Sequence, residues 1–218
     1  MRRRLLPILA SLLAATTLHA AEPALDSAWI VSKLARPAPM RTDFVELRDS
    51  PLLKAPLRLS GEYRRPQDDT LVREVRSPYA ETTTIVTGAK GRTATIARKG
   101  RSPRTFSLSR VPEMAALQAS FGALLSGDGD LLRRHYSLQA HGTRQQWLLI
   151  LTPTDKGLAG KVRDITLYGR GAELRCIETR TVREGDVQRT LLASAARAAH
   201  GVDSPKRLAA LCQQSAAR

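Results

Sequence analysis

Residues 57–108 read LRLSGEYRRPQDDTLVREVRSPYAETTTIVTGAKGRTATIARKGRSPRTFSL, and this stretch decides the fold. Within it, short runs in which apolar and polar residues alternate are separated by turn residues at 65–68, 88–91 and 99–103. Alternation with a period of two is typical of strands that bury one face, and Gly and Pro clusters at this spacing indicate hairpins. The stretch therefore predicts a meander of antiparallel strands.

The same strand pattern continues on both sides of the meander. FVELR at 44–48 precedes it, and HYSLQAH, QQWLLILTP, VRDITLYG and LRCIETRTV follow it within 135–182. We expect about ten strands in all. Apolar residues at helical spacing indicate an amphipathic helix over 25–34 and a second helix in the middle of the chain. The apolar stripe of that second helix comprises Met114, Leu117, Phe121, Leu124 and Leu125.

The C-terminal part leaves two interpretations open. VQRTLLASAARAAH at 187–200 is either the return strand of a hairpin or an alanine-rich helix. We favour a strand to about Ala193 followed by a helix, and a last short helix that begins near Pro205. Between the middle helix and the later strands, we expect only a short turn through Leu131 and Leu132.

The first twenty residues, MRRRLLPILASLLAATTLHA, have the pattern of a secretory signal peptide. Three arginines precede an apolar core, and the stretch ends on the small residue Ala20. The apolar core is much shorter than the ~20 residues that a membrane-spanning helix needs. We therefore expect cleavage after Ala20, a location in the periplasm, and one domain over 21–218.

The chain is strongly basic, with a formal net charge of +15. An exported protein meets acidic lipids rather than nucleic acid, so this charge indicates transient contact with a membrane surface. A well-solvated basic surface without a specific partner explains the charge equally well. The sequence has no nucleophile elbow, phosphate-binding loop or zinc-binding His pair, so we expect no catalytic residues, no metal and no cofactor.

Cys176 and Cys212 are the two cysteines of the chain. In an oxidising compartment an even count makes a disulfide the first interpretation, with two buried free thiols as the alternative. A disulfide would tie the C-terminal tail, residues 200–218, to the rest of the domain. Closing a loop of this length stabilises a protein by about 3 to 4 kcal/mol in the chain-entropy model.

An exported sheet of this size with two helices predicts a mainly β fold with α, in which a strongly curved, unclosed antiparallel sheet lies under the helices. Such a fold can enclose an apolar cavity, and the helical stripe would form a movable lid. Ordinary core packing is the alternative for each candidate lining residue. These candidates are Leu57, Leu59, Leu71, Val75, Ile85, Ile96, Phe106, Leu108, Met114, Leu117, Phe121, Trp147, Leu149 and Leu151.

Three segments resemble the LolA family of periplasmic lipoprotein carriers. They are GEYRRP at 61–66, QWLLILTP at 146–153 and VRDITL at 162–167, in that order after an N-terminal helix. The resemblance covers about 25–193 and implies an incomplete antiparallel barrel under a helical lid. It implies a monomeric, non-enzymatic carrier that takes acylated cargo from an inner-membrane donor to an outer-membrane acceptor. It also implies that Arg65 holds the lid closed by bonding to carbonyl groups of the lid loop.

The sequence departs from the family directly after the Arg-Pro pair, where QDDTL at 67–71 has no aromatic residue. The cargo therefore stays open between a lipoprotein and a lipid or glycolipid. Two other functions stay open as well. One is an enzyme or accessory subunit of an envelope lipid pathway, and the other is a basic module that binds acidic lipid surfaces.

Overall fold

The structure is a computed structural model that describes residues 25–89, 91–108 and 122–213. Within these ranges, eleven strands form a single antiparallel sheet. The strands are β1 (Met40–Asp49), β2 (Leu57–Gln67), β3 (Thr70–Ser77), β4 (Glu81–Gly88), β5 (Gly91–Arg98), β6 (Arg101–Ser107), β7 (Tyr136–Gly142), β8 (Trp147–Pro153), β9 (Val162–Arg170), β10 (Glu173–Thr181) and β11 (Val187–Leu192). The helices are α1 (Ser27–Leu34), α2 (described at 122–126), α3 (Gly129–His135), α4 (Lys156–Ala159), α5 (Ala193–Ala198) and α6 (Pro205–Gln213).

The sheet consists of two arms of consecutive hairpins, and its strand order is β6-β5-β4-β3-β2-β1-β11-β10-β9-β8-β7. The first arm runs from β1 to β6 and the second from β7 to β11. They join where β1 pairs with β11, with Phe44 opposite Leu192 and Glu46 opposite Thr190. β6 and β7 are the two edges among the described strands, so the expected unclosed antiparallel sheet is confirmed.

Side chains alternate between two faces of the sheet, and different helices cover each face. On the inner face, α1 contacts α3, β7 and β10, and its buried residues Ile30, Val31 and Leu34 belong to one core with residues of β8 and β9. On the outer face, α5 and α6 pack against Val45 and other buried residues of β1, β10 and β11. Each helix is amphipathic for this reason, since it buries one stripe against a half-apolar sheet.

The C-terminal part has the strand and helix that we favoured. β11 ends at Leu192, and α5 begins at Ala193. The expected turn through Leu131 and Leu132 is wrong, because these residues lie in α3. The Asp128 side chain accepts a hydrogen bond from the Leu131 backbone N–H at 2.9 Å, and this cap starts the helix.

Cys176 on β10 and Cys212 on α6 are joined by a disulfide. Both residues are fully buried in the core of the outer face, together with Leu208 of α6. The cysteines are separated by 36 residues, a span that takes in β11 and α5. The bond therefore fastens the last described helix to the sheet.

We expect the variant in which both cysteines are replaced by alanine to unfold at a lower temperature. A loop of this length accounts for about 4 kcal/mol, which corresponds to about 8–16 °C for a domain of this size. Thermal unfolding followed by circular dichroism measures the shift. A reductant should lower the melting temperature of the wild type by a similar amount and leave the variant unchanged. Equal melting temperatures for the two oxidised proteins would contradict this expectation.

Three sequence predictions fall outside the described residues. They are the signal peptide at 1–20, the helical stripe residues Met114, Leu117 and Phe121, and the last part of the tail. In the described part of the chain, no helix is both long and apolar enough to cross a membrane.

Candidate functional site

A cavity of about 360 Å³ lies on the inner face, between the two arms of the sheet and under α2. The first arm, α2 and the second arm all contribute apolar side chains to its wall. Because the hydrophobic residues of several strands point inward together, this part of the wall offers an environment similar to hydrocarbon. These side chains are Leu71, Ile85, Ala94, Ile96, Phe106, Leu108, Leu124, Leu151, Ile165, Leu167 and Ile177.

The structure separates the lining candidates of the sequence into two described groups. Leu71, Ile85, Ile96, Phe106, Leu108 and Leu151 line this cavity. The others, Leu57, Leu59, Val75, Trp147 and Leu149, do not line it.

The five residues that do not line the cavity lie in two parts of the inner face where other side chains fill the space. Leu59 and Val75 are buried against Phe44, and Leu57 packs on the edge of that cluster. Trp147 and Leu149 are buried in the core that includes the helix α1. Side chains that share a strand face with the cavity are therefore excluded from it by local packing.

The sequence indicates a polar mouth formed by arginines, but sequence reasoning named none of the polar residues of the wall, which the residue alternation could have indicated. In FVELR, Glu46 and Arg48 lie on the same face as Phe44, and that face is the inner one. The polar lining residues are Glu46, Arg48, Tyr63, Arg73, Glu81, Thr83, Thr179, Gln188 and Thr190.

Four charged residues of this polar part form a line of ion pairs that ends on Arg98, outside the cavity lining, and we call the five residues the charged ladder. The fully buried Glu46 accepts from Arg48 Nε at 2.6 Å and from Arg73 Nη2 at 3.0 Å. Arg73 also lies 4.0 Å from Glu81, which pairs with Arg98. A buried carboxylate such as Glu46 is destabilising without partners, and its two arginines offset that cost.

The groups around Arg73 raise its pKa, and burial raises the pKa of its neighbour Tyr63. Burial alone lowers the pKa of Arg73, but Tyr63 and Glu46 together raise it above its usual value. Burial raises the pKa of Tyr63, and the negative charge of Glu46 adds to that increase. The guanidinium of Arg73 also lies over the Phe44 ring, 4.9 Å from its centroid. At neutral pH the cavity thus has a fixed cation beside a protonated phenol.

Arg65 lies near the end of β2 and is only 7% exposed. Its Nη1 donates to the carbonyl oxygen of Arg36 at 2.6 Å, and its Nη2 donates to the carbonyl oxygen of Asp68 at 3.2 Å. Nη2 also lies 2.8 Å from the Asp68 carboxylate. Arg36 belongs to the connection between α1 and β1, and its backbone N–H donates to the carbonyl oxygen of Leu125 at 2.8 Å. Arg65 is therefore linked to α2 through one intervening residue.

Two further hollows adjoin the cavity around α2. One, of about 230 Å³, shares Tyr63, Leu71 and Leu124 with the cavity. The other, of about 400 Å³, shares Leu71 and Ile85 with it. The side chain of Leu124 lies between the cavity and the hollow of about 230 Å³. A displacement of α2 would therefore join these two spaces.

Within residues 25–89, 91–108 and 122–213, His135 and His141 belong to no group of three or more His, Cys, Asp or Glu side chains that could hold a metal ion. The candidate site is the partly apolar cavity with its polar end.

An open antiparallel half-barrel with helices over an inner cavity defines a class of binding folds of the carrier type. A family model described as "Outer membrane lipoprotein carrier protein LolA-like" matches residues 19–216, and the chain belongs to this LolA-like family. Membership indicates a lipoprotein- or lipid-binding function of the carrier type and a location in the cell envelope.

Solved structures with similar folds show low sequence identity. A LolA superfamily protein from Nitrosomonas europaea is 11% identical, with a TM-score of 0.40 over 77% of this chain and 90% of that one. LprF from Mycobacterium bovis is 13% identical, with a TM-score of 0.34 over 77% of this chain and 91% of that one. A putative outer membrane lipoprotein-sorting protein domain from Vibrio parahaemolyticus is 8% identical, with a TM-score of 0.34 over 71% of this chain and 83% of that one. No curated protein matches the sequence.

Proposed function

We propose that the protein is a non-enzymatic periplasmic carrier that shelters an acyl chain of a lipoprotein or lipid and moves it towards the outer membrane. The observation that carries this proposal is the cavity of about 360 Å³ whose apolar wall is shared by both arms and α2. Family membership supports the same class of function. An inner-membrane donor and an outer-membrane acceptor complete the proposed route, and the carrier acts as a monomer.

The energetics of such a cavity suit reversible transport. Each methylene removed from water contributes about 0.8 kcal/mol, whether it enters a bilayer or an apolar protein cavity. Moving a chain from membrane to carrier therefore changes the free energy little, although crossing water unprotected would be strongly unfavourable. The carrier then needs only a small additional free-energy difference to load or release its cargo.

α2 is the proposed lid, and Arg65 is the residue proposed to hold it. The bonds from Arg65 to the Arg36 carbonyl, and from Arg36 to Leu125, restrain α2 over the cavity. Arginine suits this position because its planar group carries several donors for backbone oxygens. Opening the lid would join the cavity to the hollow on the other side of Leu124.

The end of the sheet near Arg48 is the proposed membrane-facing end. Arg48 lines the cavity, and its side chain is 43% exposed, so the cavity reaches solvent there. Leu52 and Leu53, in the connection that follows β1, are 76% and 40% exposed. Two adjacent exposed leucines in the connection that follows Arg48 and the end of β1 fit the surface of a bilayer, into which they can insert.

We expect the double variant Leu52→Asp and Leu53→Asp to bind phospholipid vesicles about 100-fold more weakly than the wild type. Each leucine contributes about 1.5 kcal/mol or more when it leaves water, and the two contributions add. Co-sedimentation with vesicles of mixed neutral and acidic phospholipid measures the affinity. The control is Val86→Asp, an exposed apolar residue on β4. Equal losses in both variants would contradict the proposed contact.

The proposed function is tested by transfer of a fluorescent acylated probe between donor and acceptor vesicles. The mature protein should accelerate transfer in proportion to its concentration, with the probe recovered chemically unchanged. Vesicle binding that is lost in high salt, without accelerated transfer, would support the basic lipid-surface module instead. Chemical conversion of the probe would support an enzyme of a lipid pathway.

A further inference from the structure

We propose that this cavity takes an amphiphile with an anionic headgroup, and that Arg48 and Arg73 bind this headgroup while the chain lies in the apolar part. The inference rests on the proposed function, because it assigns the polar end of the cargo in the same cavity. The headgroup chemistry in question is a carboxylate or a phosphate, each of which accepts hydrogen bonds from a guanidinium.

The wall of the cavity is divided into a polar and an apolar region. On β1, Glu46 and Arg48 pair in register with Thr190 and Gln188 of β11, and Thr179 of β10 pairs with Gln188. These five neighbours form one continuous polar area on the inner face of three adjacent strands. A cargo that was hydrocarbon throughout would remove the Nη1 and Nη2 groups of Arg48 from water without giving them an acceptor, which is unfavourable. An amphiphile satisfies both regions at once.

The exposure of the charged groups in the polar region favours an anion. The lining charges balance, since Arg48 and Arg73 face the carboxylates Glu46 and Glu81. The carboxylates are nearly buried, with side chains 1% and 10% exposed, whereas those of Arg48 and Arg73 are 43% and 17% exposed. A headgroup that enters from solvent therefore meets a guanidinium first, and a carboxylate or phosphate can pair with it.

Arg48 has donors available for such a headgroup. It donates to Glu46 through Nε. Among the described residues, its Nη1 and Nη2 make no hydrogen bond to another group. Glu46 is the positioning residue, because it accepts from both Arg48 and Arg73 and so fixes the distance between the two cations. Fixed, partly desolvated arginines bind oxyanions more strongly than flexible surface arginines do.

The test compares three amphiphiles with the same chain length below their micelle-forming concentrations. They are dodecanoate, dodecyl phosphate and the neutral 1-dodecanoylglycerol, with binding to the mature protein measured by calorimetry. We expect at least one anionic amphiphile to bind tenfold or more tightly than the neutral one. The ratio between dodecanoate and dodecyl phosphate distinguishes a carboxylate site from a phosphate site.

Arg48→Gln should lower the affinity for the anionic amphiphile about tenfold to a hundredfold and leave the affinity for the neutral one unchanged. Arg48→Lys keeps the positive charge but not the planar guanidinium with its paired donors. Its affinity for the anionic amphiphile should therefore lie between those of Arg48→Gln and the wild type. The matched control is Arg76→Gln, since Arg76 is 52% exposed and pairs with carboxylates, but it does not line the cavity. Binding of the neutral amphiphile reports that each variant is folded.

The outcomes separate this inference from the proposed function. If the neutral and anionic amphiphiles bind equally, the anionic headgroup site is overturned and the carrier proposal stands. Equal losses of affinity for the anionic amphiphile in Arg48→Gln and Arg76→Gln would also overturn it, because the preference for an anion would then come from the general surface charge. If none of the three amphiphiles binds to the wild type, the carrier proposal itself fails.

Discussion

We expect Ala94→Trp to weaken the binding of a saturated acyl chain about 200-fold, because a ring that displaces about four methylenes removes roughly 3 kcal/mol of binding free energy. Ala94 is buried on β5 and lines the cavity, and its partners on β4 and β6 are Ile85 and Phe106. The large side chain would enter the empty space rather than a packed core. Fluorescence titration with an acyl-chain probe measures the loss.

The matched control for this substitution is Ala97→Trp, on the same strand and outside the cavity lining. Both variants carry the same new side chain on β5, so a general effect of tryptophan on the strand appears in both. Affinity that falls equally in the two variants would contradict the position of the acyl chain. An Ala94→Trp protein that binds the probe as the wild type does would contradict it as well.

The second large effect is expected from Arg65→Met, which removes the polar bonds that connect β2 to the α1–β1 connection. Bonds that involve a charged donor contribute about 1.5–3 kcal/mol, so the loss raises the open population of the lid roughly tenfold to a hundredfold. The backbone N–H of Arg36, which donates to Leu125, should then exchange its hydrogen faster by the same factor. Release of a bound acyl probe should accelerate in parallel.

Arg64→Met is the control for the lid experiment. Arg64 is the neighbouring residue on β2, and it pairs on the surface with Glu74 rather than with the lid connection. Hydrogen exchange measured by mass spectrometry on both variants isolates the effect of Arg65. If the exchange at Arg36 is unchanged in Arg65→Met, or changes equally in Arg64→Met, Arg65 does not hold the lid.

The size of the cavity bears on which cargo the closed protein can hold. About 360 Å³ lies at the lower end of the ~300–1,000 Å³ range of small-molecule sites, so the closed cavity suits one chain. A cargo with several acyl chains would need an adjoining hollow, and the one of about 230 Å³ is separated from the cavity by Leu124. Under the proposed function, the lid would set the capacity of the carrier as well as the release of its cargo.

The strands were predictable because their signal is local. Period-two alternation and turn residues within 57–108 indicate hairpins that need no information from the rest of the chain. α3 was missed because its cap, Asp128, stands in a Gly-Asp-Gly context that is typical of turns. Local signals thus predict most elements and fail where a turn residue also starts a helix.

Which residues line the cavity depends on contacts between segments far apart in the chain, and the local sequence pattern does not specify these contacts. Leu149 and Leu151 share one strand face and one buried cluster, yet only Leu151 lies on the cavity wall. Composition favours an exposed Arg65, but the chain after α1 crosses it and accepts its hydrogen bonds. The inner position of Glu46 depends on the pairing of β1 with β11, which are far apart in the chain.

The most direct test of the central claim is photo-crosslinking with a fatty acid that carries a photoreactive group at the end of its chain. The acyl-chain account predicts that mass spectrometry finds the label on cavity residues such as Ile96, Phe106 and Leu151, and that Ala94→Trp removes it. Label on the outer face around Ala195 and Leu208, or equal labelling in Ala94→Trp, would contradict the claim that the cavity holds the chain.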